Sequence, residues 1–138
     1  MKKYHFELDL RVRDYELDML GMVNNSVYLN YLEHTRHEFL KTVGIHFDQM
    51  FEMDYRLVVT RYEIDYLRLL KSGDRFSVKL RFERKSRAQF LFLQDIYILP
   101  DQKPVLNAKV VGTCLSKNGR VKIPEILKKL FLDFETKG

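Results

Sequence analysis

The sequence predicts an α+β domain, with an antiparallel five-stranded sheet wrapped around a long central helix and a short helix at the C-terminal end. Three observations support this prediction. One long segment repeats its apolar residues with helical spacing, and four later segments are strand-like. Short turns join these four segments, so neighbouring strands should run antiparallel. One face of such a sheet needs an apolar cover, which the long helix supplies.

The elements follow in order along the chain. Residues 4–12 alternate between apolar and polar side chains, which predicts a half-buried strand, and a polar loop, 13–24, comes next. From about Ser26 to Val43 the apolar spacing is helical, and Gly44 stands where a helix ends. The predicted helix has about 18 residues and a length of roughly 27 Å. Its apolar positions are Val27, Tyr28, Tyr31, Leu32, Phe39 and Val43, with Thr35 on the same stripe.

The second half of the chain is predicted to be mostly strand. Residues 46–55 fit either a short helical turn or a mobile lid. The four strand-like segments are 56–68, 75–83, 88–99 and 105–116. The third is apolar on both faces, which predicts a central strand or a subunit contact. The last carries small residues, Ala108 and Gly112 among them, that would let a helix approach closely. Pro124 starts the final helix, whose apolar stripe is Ile123, Leu127, Leu130, Phe131 and Phe134.

Length and composition limit the number of domains and the class of protein. The chain has 138 residues, with 46% hydrophobic and 31% charged, so we predict a single domain over residues 1–138. No apolar run approaches the about 20 residues that a membrane span needs, and the N-terminal residues lack a signal-peptide core. We therefore expect no membrane partner. The single cysteine, Cys114, cannot form an internal disulfide, and a cytoplasmic location is the expectation.

The net charge of +5 suits nucleic acid, a phosphorylated cofactor or an acidic carrier protein. The basic residues are spread along predicted strands and turns rather than gathered in an arm, so we expect no nucleic-acid partner. The helix segment Glu33–Glu38 also suggests a metal, since His34 and Glu38 are four residues apart. No second helix supplies matching ligands, and we expect neither a metal nor a cofactor.

The stretch from Arg13 to Arg36 carries the candidate chemistry. Its first half is polar and turn-like, with Asp18 shortly before Gly21. Its second half begins the long helix, whose cap is predicted to be Asn24, Asn25 or Ser26. A carboxylate on a loop therefore lies directly before the exposed amides of a helix N-terminus, which attract negative charge. A site with both features is suited to hydrolysis of an acyl group.

This stretch, VRDYELDMLGMVNNSVYLNYLEHTRHEFL, resembles the opening of hotdog thioesterases of the 4-hydroxybenzoyl-CoA thioesterase type. The residues in the family frame are Asp18, Gly21, Val23, Asn24, Asn25, Tyr28, Glu33, Arg36 and Glu38. Residues 64–74, IDYLRLLKSGD, resemble the family's second strand and its turn. The step Val23-Asn24-Asn25 is similar to acyl-carrier-protein thioesterases too. These have Asn and His where this chain has Leu20 and Met22.

The resemblance implies an acyl-CoA thioesterase that acts at a dimer interface, as a homodimer or homotetramer. It implies that Asp18 acts as a nucleophile or as the base that orients water. It also implies that the backbone N–H of Asn25 polarises the thioester carbonyl. The candidate substrate-binding residues are Asn24, Tyr28 and, in the basic turn expected to contact the nucleotide, Arg84, Lys85 and Arg87.

Alternatives stay open. The substrate carrier can be an acyl carrier protein instead of coenzyme A, and a non-catalytic domain that binds acyl-CoA is a further alternative. Asp18 also fits a cap of a turn or of the helix, and Asp14 fits a structural hydrogen bond. A helix Glu is catalytic in another hotdog branch, so Glu33 has either a direct role or an ion pair with Arg36 or His37.

Overall fold

The computed structural model describes residues 3–134. Its strands are β1 (Phe6–Arg11), β2 (Arg56–Tyr66), β3 (Arg75–Arg84), β4 (Gln89–Ile98) and β5 (Lys103–Leu115). Its helices are α1 (Asn25–Thr42), α2 (Phe47–Glu52) and α3 (Glu125–Asp133), and a single 3₁₀ turn, Asp14–Glu16, precedes α1. The α2 helix lies inside the segment that the sequence left open between a helical turn and a mobile lid.

The strands form one antiparallel sheet in the order β1-β3-β4-β5-β2. The strand with apolar residues on both faces, β4, is central, as predicted. The sheet wraps around α1, so the predicted hotdog fold is confirmed. β2 forms one edge of the sheet, and a register shift between Val59 and Arg61 interrupts its pairing with β5.

The ends of α1 follow from local sequence signals. Asn24 is the N-cap, because its side-chain oxygen accepts the Ser26 N–H at 3.3 Å. Beyond the C-terminal end of the helix, Gly44 has a φ of +86°, the left-handed conformation that favours glycine. The buried positions recur every three or four residues and face the sheet. They are Tyr28, Tyr31, Leu32, Thr35, Arg36, Phe39 and Leu40.

Aromatic rings form the centre of the core between α1 and the sheet. Phe39 of α1 is 1% exposed. Its ring centroid lies 6.1 Å from that of Phe82 on β3 and 6.1 Å from that of Phe92 on β4. Phe134, just after α3, lies 5.6 Å from Phe39, so the C-terminal helix closes one end of the core. These contacts join helix, sheet and C-terminus in one cluster.

Gly112 has a different role from the predicted one. A Cβ built at this position would lie 2.5 Å from the carbonyl oxygen of Val58 and closer still to the ring of Phe90. The small residue therefore makes room for an aromatic side chain on β4 and for the backbone of β2. It does not make room for a helix.

We expect Gly112→Ala to lower the free energy of unfolding by about 1–3 kcal/mol, because the methyl group overpacks a filled site. Urea denaturation measures this loss. In a Phe90→Leu background the substitution should cost less, although the Val58 carbonyl still crowds the new methyl group. An alanine variant as stable as the wild type would contradict this account of the glycine.

His5 connects the start of β1 to β3. Its Nδ1 accepts the Phe82 N–H at 3.0 Å, which requires a neutral ring nitrogen. Burial, helped by the charges of Arg81 and Lys3, lowers the pKa of His5 below its ordinary value of 6.5. Burial also lowers the pKa of His37, against the opposing effect of Glu33. Both side chains bind a proton less readily in the folded state than in the unfolded state.

Stability should consequently fall on acidification. Below about pH 6.5 the unfolded chain takes up protons at these histidines before the folded chain does, so the free energy of unfolding decreases as the pH falls. Urea titrations between pH 8 and pH 5 measure the slope. His5→Gln should flatten it, since glutamine does not titrate. A variant with the wild-type slope would show that His5 does not contribute.

Candidate active site

A small hairpin carries Asp18. Leu17 and Val23 form an isolated antiparallel bridge, and the Asp18 N–H donates to the Met22 carbonyl at 2.7 Å. Gly21 closes the tip, with a φ of +79° and an N–H that donates to the Asp18 carbonyl at 3.1 Å. The hairpin returns the chain directly to the start of α1.

The carboxylate of Asp18 is oriented by this hairpin. Its Oδ1 accepts the N–H groups of Leu20 at 2.8 Å and Met22 at 3.1 Å. Its Oδ2 accepts no hydrogen bond from the described residues, and the side chain is exposed. The loop thus uses one carboxylate oxygen for its own structure and leaves the other available to a substrate or a water molecule.

The N-terminus of α1 follows seven residues after Asp18 in the chain. Asn24 is held by its own N–H, which donates to the Glu16 carbonyl at 3.0 Å, and its side chain caps the helix. The N–H of Asn25 is the first of α1, where no intrahelical acceptor is available. It has no hydrogen-bond acceptor in the part of the chain that the structure describes. This amide therefore points its free donor and the positive end of the helix dipole out of the helix.

Glu16 supports the loop and was not among the residues predicted from the sequence. Glu16 is buried, and its Oε1 accepts the Tyr31 hydroxyl at 2.7 Å and the Arg13 N–H at 2.7 Å. Burial and the bond to this carboxylate raise the pKa of Tyr31 above its ordinary value of 10. The signal in the sequence was the acid three residues after Arg13, the spacing of a capping box.

The turn after β2 fixes the hairpin from its other side. The Val23 N–H donates to the Leu70 carbonyl at 2.9 Å, and the Ser72 hydroxyl donates to Asp14 Oδ1 at 2.9 Å. Asp14 therefore makes the structural hydrogen bond that was predicted for it. Tyr28 needs a correction: it is fully buried and its hydroxyl accepts the Leu70 N–H at 2.9 Å. It supports the start of α1 from the core and offers no free surface to a substrate.

The predicted nucleotide-binding turn lies far from Asp18 within one chain. Arg75, at the start of β3, pairs with Arg11 and so lies near the Asp14–Ser72 contact. Arg84 ends the same strand, about 30 Å away at the rise of a strand. The other two predicted cations follow in this distant turn and are exposed; they are Lys85 and Arg87. Asp18 lies in the hairpin, Asn24 and Asn25 follow directly after it at the start of α1, and the three cations of the turn lie apart from them.

A cavity of about 200 Å³ lies between α1 and β2. Arg36 on its wall donates to the Tyr62 hydroxyl at 3.0 Å and to Gln94 Oε1 at 3.0 Å, so Glu33 is not its partner. Glu33 instead approaches His37, with 3.6 Å between Oε1 and Nε2. Of the two partners that the sequence allowed for Glu33, the structure places His37 beside it, and this contact is an ion pair only when His37 is protonated. The apolar part of the wall consists of Leu40, Phe47, Leu57, Val58, Val59, Phe90 and Phe92.

Two kinds of feature are absent from residues 3–134. No group of three or more His, Cys, Asp or Glu side chains there is arranged to hold a metal ion. No helix there is long and apolar enough to cross a membrane.

A hotdog sheet surrounds α1, and the free N-terminal amide of this helix follows an oriented loop carboxylate. These features define the class of hotdog thioester hydrolases. Comparison with known proteins agrees. Residues 12–131 match the model of the thioesterase-like superfamily, and the chain belongs to that family. The match is to the superfamily as a whole, so the 4-hydroxybenzoyl-CoA branch stays a prediction.

Individual relatives carry the same activity in their names. The chain is 42% identical over 135 residues to a chloroplastic acyl-acyl carrier protein thioesterase of Arabidopsis thaliana, ATL3, covering 97% of this chain and 70% of the relative. It superposes on YbaW, a probable thioesterase from Escherichia coli, with a TM-score of 0.80, 25% identity and coverage of 94% and 99%. It superposes on a 1,4-dihydroxy-2-naphthoyl-CoA thioesterase from Synechocystis with a TM-score of 0.86, 18% identity and coverage of 93% and 96%. The chain is accordingly a thioester hydrolase.

Proposed function

We propose that this protein hydrolyses an acyl thioester to the free acid and a thiol, with Asp18 as the acting carboxylate and the Asn25 N–H as the donor to the carbonyl oxygen. One observation carries the proposal. Asp18 has one oxygen held by the amides of its own loop and the other without a partner among the described residues, and the first free amide of α1 follows directly after the hairpin.

The arrangement supports two chemical routes. In the first, Asp18 Oδ2 attacks the thioester carbon, the C–S bond breaks to release the thiolate, and water then hydrolyses the acyl–aspartyl anhydride. In the second, the carboxylate takes a proton from a water molecule as that water attacks the carbon, and the C–S bond then breaks to release the thiolate, which takes up the proton. Both routes place negative charge on the carbonyl oxygen. A fixed amide such as Asn25 N–H then stabilises the transition state by about 3 kcal/mol.

A second copy of the chain would complete the site. Asp18 is exposed in the single chain, whereas charge stabilisation of this kind is strongest where water is excluded. β2 offers an unpaired edge within the described chain, and we propose that it pairs with a second copy to give a homodimer or a homotetramer. Apolar side chains on and after this strand are exposed as such an interface requires: Val59, Tyr62, Tyr66, Leu67 and Leu69. The distant cations Arg84, Lys85 and Arg87 would then serve the site of another protomer.

The carrier of the acyl group has two candidates. Acyl-CoA is the substrate that the sequence resemblance implies. An acyl carrier protein is supported by two named relatives, at 42% and 39% identity, which are acyl-acyl carrier protein thioesterases. The net charge of +5 suits either carrier, since both are anionic. Both of these relatives are chloroplastic, and the cytoplasmic location predicted for this chain stays a prediction.

A substrate panel tests the proposal. Short, long and aromatic acyl groups are offered on coenzyme A and on an acyl carrier protein, and release of the thiol is followed. We expect turnover of at least one substrate, and the carrier with the larger kcat/KM is the physiological class. Tight binding of acyl-CoA without turnover of any thioester would instead support the non-catalytic alternative.

A further inference from the structure

The cavity between α1 and β2 contains a buried cation. Arg36 is 5% exposed, although arginine is almost never buried this far without a charged partner. Among residues 3–134, no carboxylate lies within ion-pair distance of its guanidinium group. Its hydrogen-bond partners, Tyr62 Oη and Gln94 Oε1, are both neutral. The guanidinium group has five N–H donors, so these two acceptors leave most of them unused.

The orientation of this group is set by its neighbours. Gln94 is fully buried, and its Nε2 donates to the Leu32 carbonyl at 3.0 Å, so its oxygen is turned toward Arg36. The Arg36 guanidinium carbon also lies 5.6 Å from the ring centroid of Tyr62. Contacts to β4 and to β2 therefore hold the guanidinium group in place on the cavity wall. Hydrogen-bond donors that are fixed in position, lack acceptors and line a cavity are features of a binding site.

The cavity lies beside α1, about three helical turns beyond Asn25. Two contacts show that α1 and β2 run antiparallel. The rings of Tyr28 and Tyr66 are 5.6 Å apart, and Arg36, eight residues later on α1, reaches Tyr62, four residues earlier on β2. The seam between α1 and β2 thus runs from the helix N-terminus to the cavity. Arg36 lies eleven residues beyond Asn25, about 16 Å along the helix. An acyl chain whose carbonyl is held at Asn25 would enter the cavity with its distal part.

We propose that this cavity receives the distal part of the acyl chain and that Arg36 selects chains carrying an oxygen there, as a hydroxyl or keto group. The inference rests on the proposed thioesterase function and specifies its substrate class. A cavity of about 200 Å³ is below the usual ~300–1,000 Å³ of a whole-ligand pocket, which suits one segment of a chain. The apolar wall binds the methylene groups, and the free N–H donors of Arg36 bind the oxygen.

A neutral oxygen fits better than a distal carboxylate. Glu33 lines the same cavity and would repel a second carboxylate. The lowered pKa of His37, caused mainly by burial, leaves that side chain uncharged at neutral pH, so it does not offset Glu33. The cavity as a whole carries one positive and one negative side chain, Arg36 and Glu33. An acyl chain with an uncharged polar group matches a cavity whose two charges are opposite.

Matched substrates test the proposal. A saturated medium-chain acyl thioester is compared with the same chain bearing a hydroxyl or keto oxygen at each of several distal positions, on whichever carrier the panel identifies. For at least one position we expect the wild type to favour the oxygenated chain by about tenfold in kcat/KM, the effect of one hydrogen bond to a charged group. Arg36→Met should abolish or reverse this preference. Tyr62→Phe, which removes an acceptor and frees an N–H, should keep it.

The outcomes separate the two proposals. A wild type that prefers the plain chain at every position overturns the role of Arg36, as does a preference that survives in Arg36→Met. The wild-type comparison does not depend on whether the variant folds. If no thioester is turned over, the proposed function fails, and the non-hydrolysable acyl-pantetheine amides of the same chains still test the cavity. A larger rise in Tm with the oxygenated amides would support Arg36 as their binding residue, and equal shifts would overturn it.

Discussion

Asp18→Asn should lower kcat for the best thioester substrate at least about a hundredfold, the scale of removing one key catalytic group. Asparagine keeps the Oδ1 that accepts the N–H groups of Leu20 and Met22, so the hairpin should retain its shape. The variant loses the negative charge that both routes require. KM should change little, because the acyl chain and its carrier are bound elsewhere. Steady-state release of thiol measures the effect, and an unchanged Tm confirms that the fold is retained.

Asp14→Asn is the matched control. Asp14 lies on the same loop, is exposed, and accepts a hydrogen bond from the Ser72 hydroxyl that asparagine can also accept. Its turnover should stay within about twofold of the wild type, since a surface substitution that preserves its contact has a small effect. If Asp18→Asn is as active as this control, the chemistry resides elsewhere. Glu33, on the cavity wall, is then the residue to replace.

Phe39→Ala should lower the free energy of unfolding by about 3–5 kcal/mol. The ring is 1% exposed and contacts aromatic rings of β1, β3, β4 and the C-terminal segment. These neighbours belong to different elements and cannot all move into the space left by the ring. A large cavity should therefore remain, and its cost adds to the lost transfer free energy. Urea denaturation provides the measurement.

Leu132→Ala is the control for this prediction. Leu132 is a large apolar residue on α3, but it is 69% exposed. Its replacement should change the stability by less than about 0.5 kcal/mol, because little area leaves or enters water. A loss below about 1 kcal/mol for Phe39→Ala would mean that the aromatic cluster repacks, and that α1 is held to the sheet mainly by other contacts.

Local signals explain what was predicted well. The long helix was expected from about Ser26 to Val43 and is found at Asn25–Thr42, because apolar spacing, an Asx cap and a terminal glycine all act within one or two turns. The strands were located by their alternation for the same reason. Asp18 and Asn25 were proposed as a pair because they are neighbours in the chain, and the hairpin between them preserves that proximity.

Long-range contacts explain what was missed. Arg36 was considered as a partner of Glu33, a neighbour on the same helix, yet it bonds Gln94, a residue 58 positions away. Tyr28 was predicted to bind substrate, but its hydroxyl is used by Leu70, 42 positions away. Gly112 was expected to face a helix, and it faces an aromatic ring of the next strand. Each outcome depends on strand order and register, which no local pattern specifies.

The sequence by itself therefore determined the elements, the hotdog class and the hairpin that carries the candidate carboxylate, since each is encoded by residues close together in the chain. Only the tertiary structure decided which side chains meet across the seam between α1 and β2. It placed a buried guanidinium group on a cavity wall there, and it placed the predicted nucleotide-binding turn at the far end of β3. The physical reason is that side-chain burial and hydrogen-bond pairing depend on elements brought together from distant parts of the chain. Hydrophobic periodicity and helix capping depend only on residues close together in the chain.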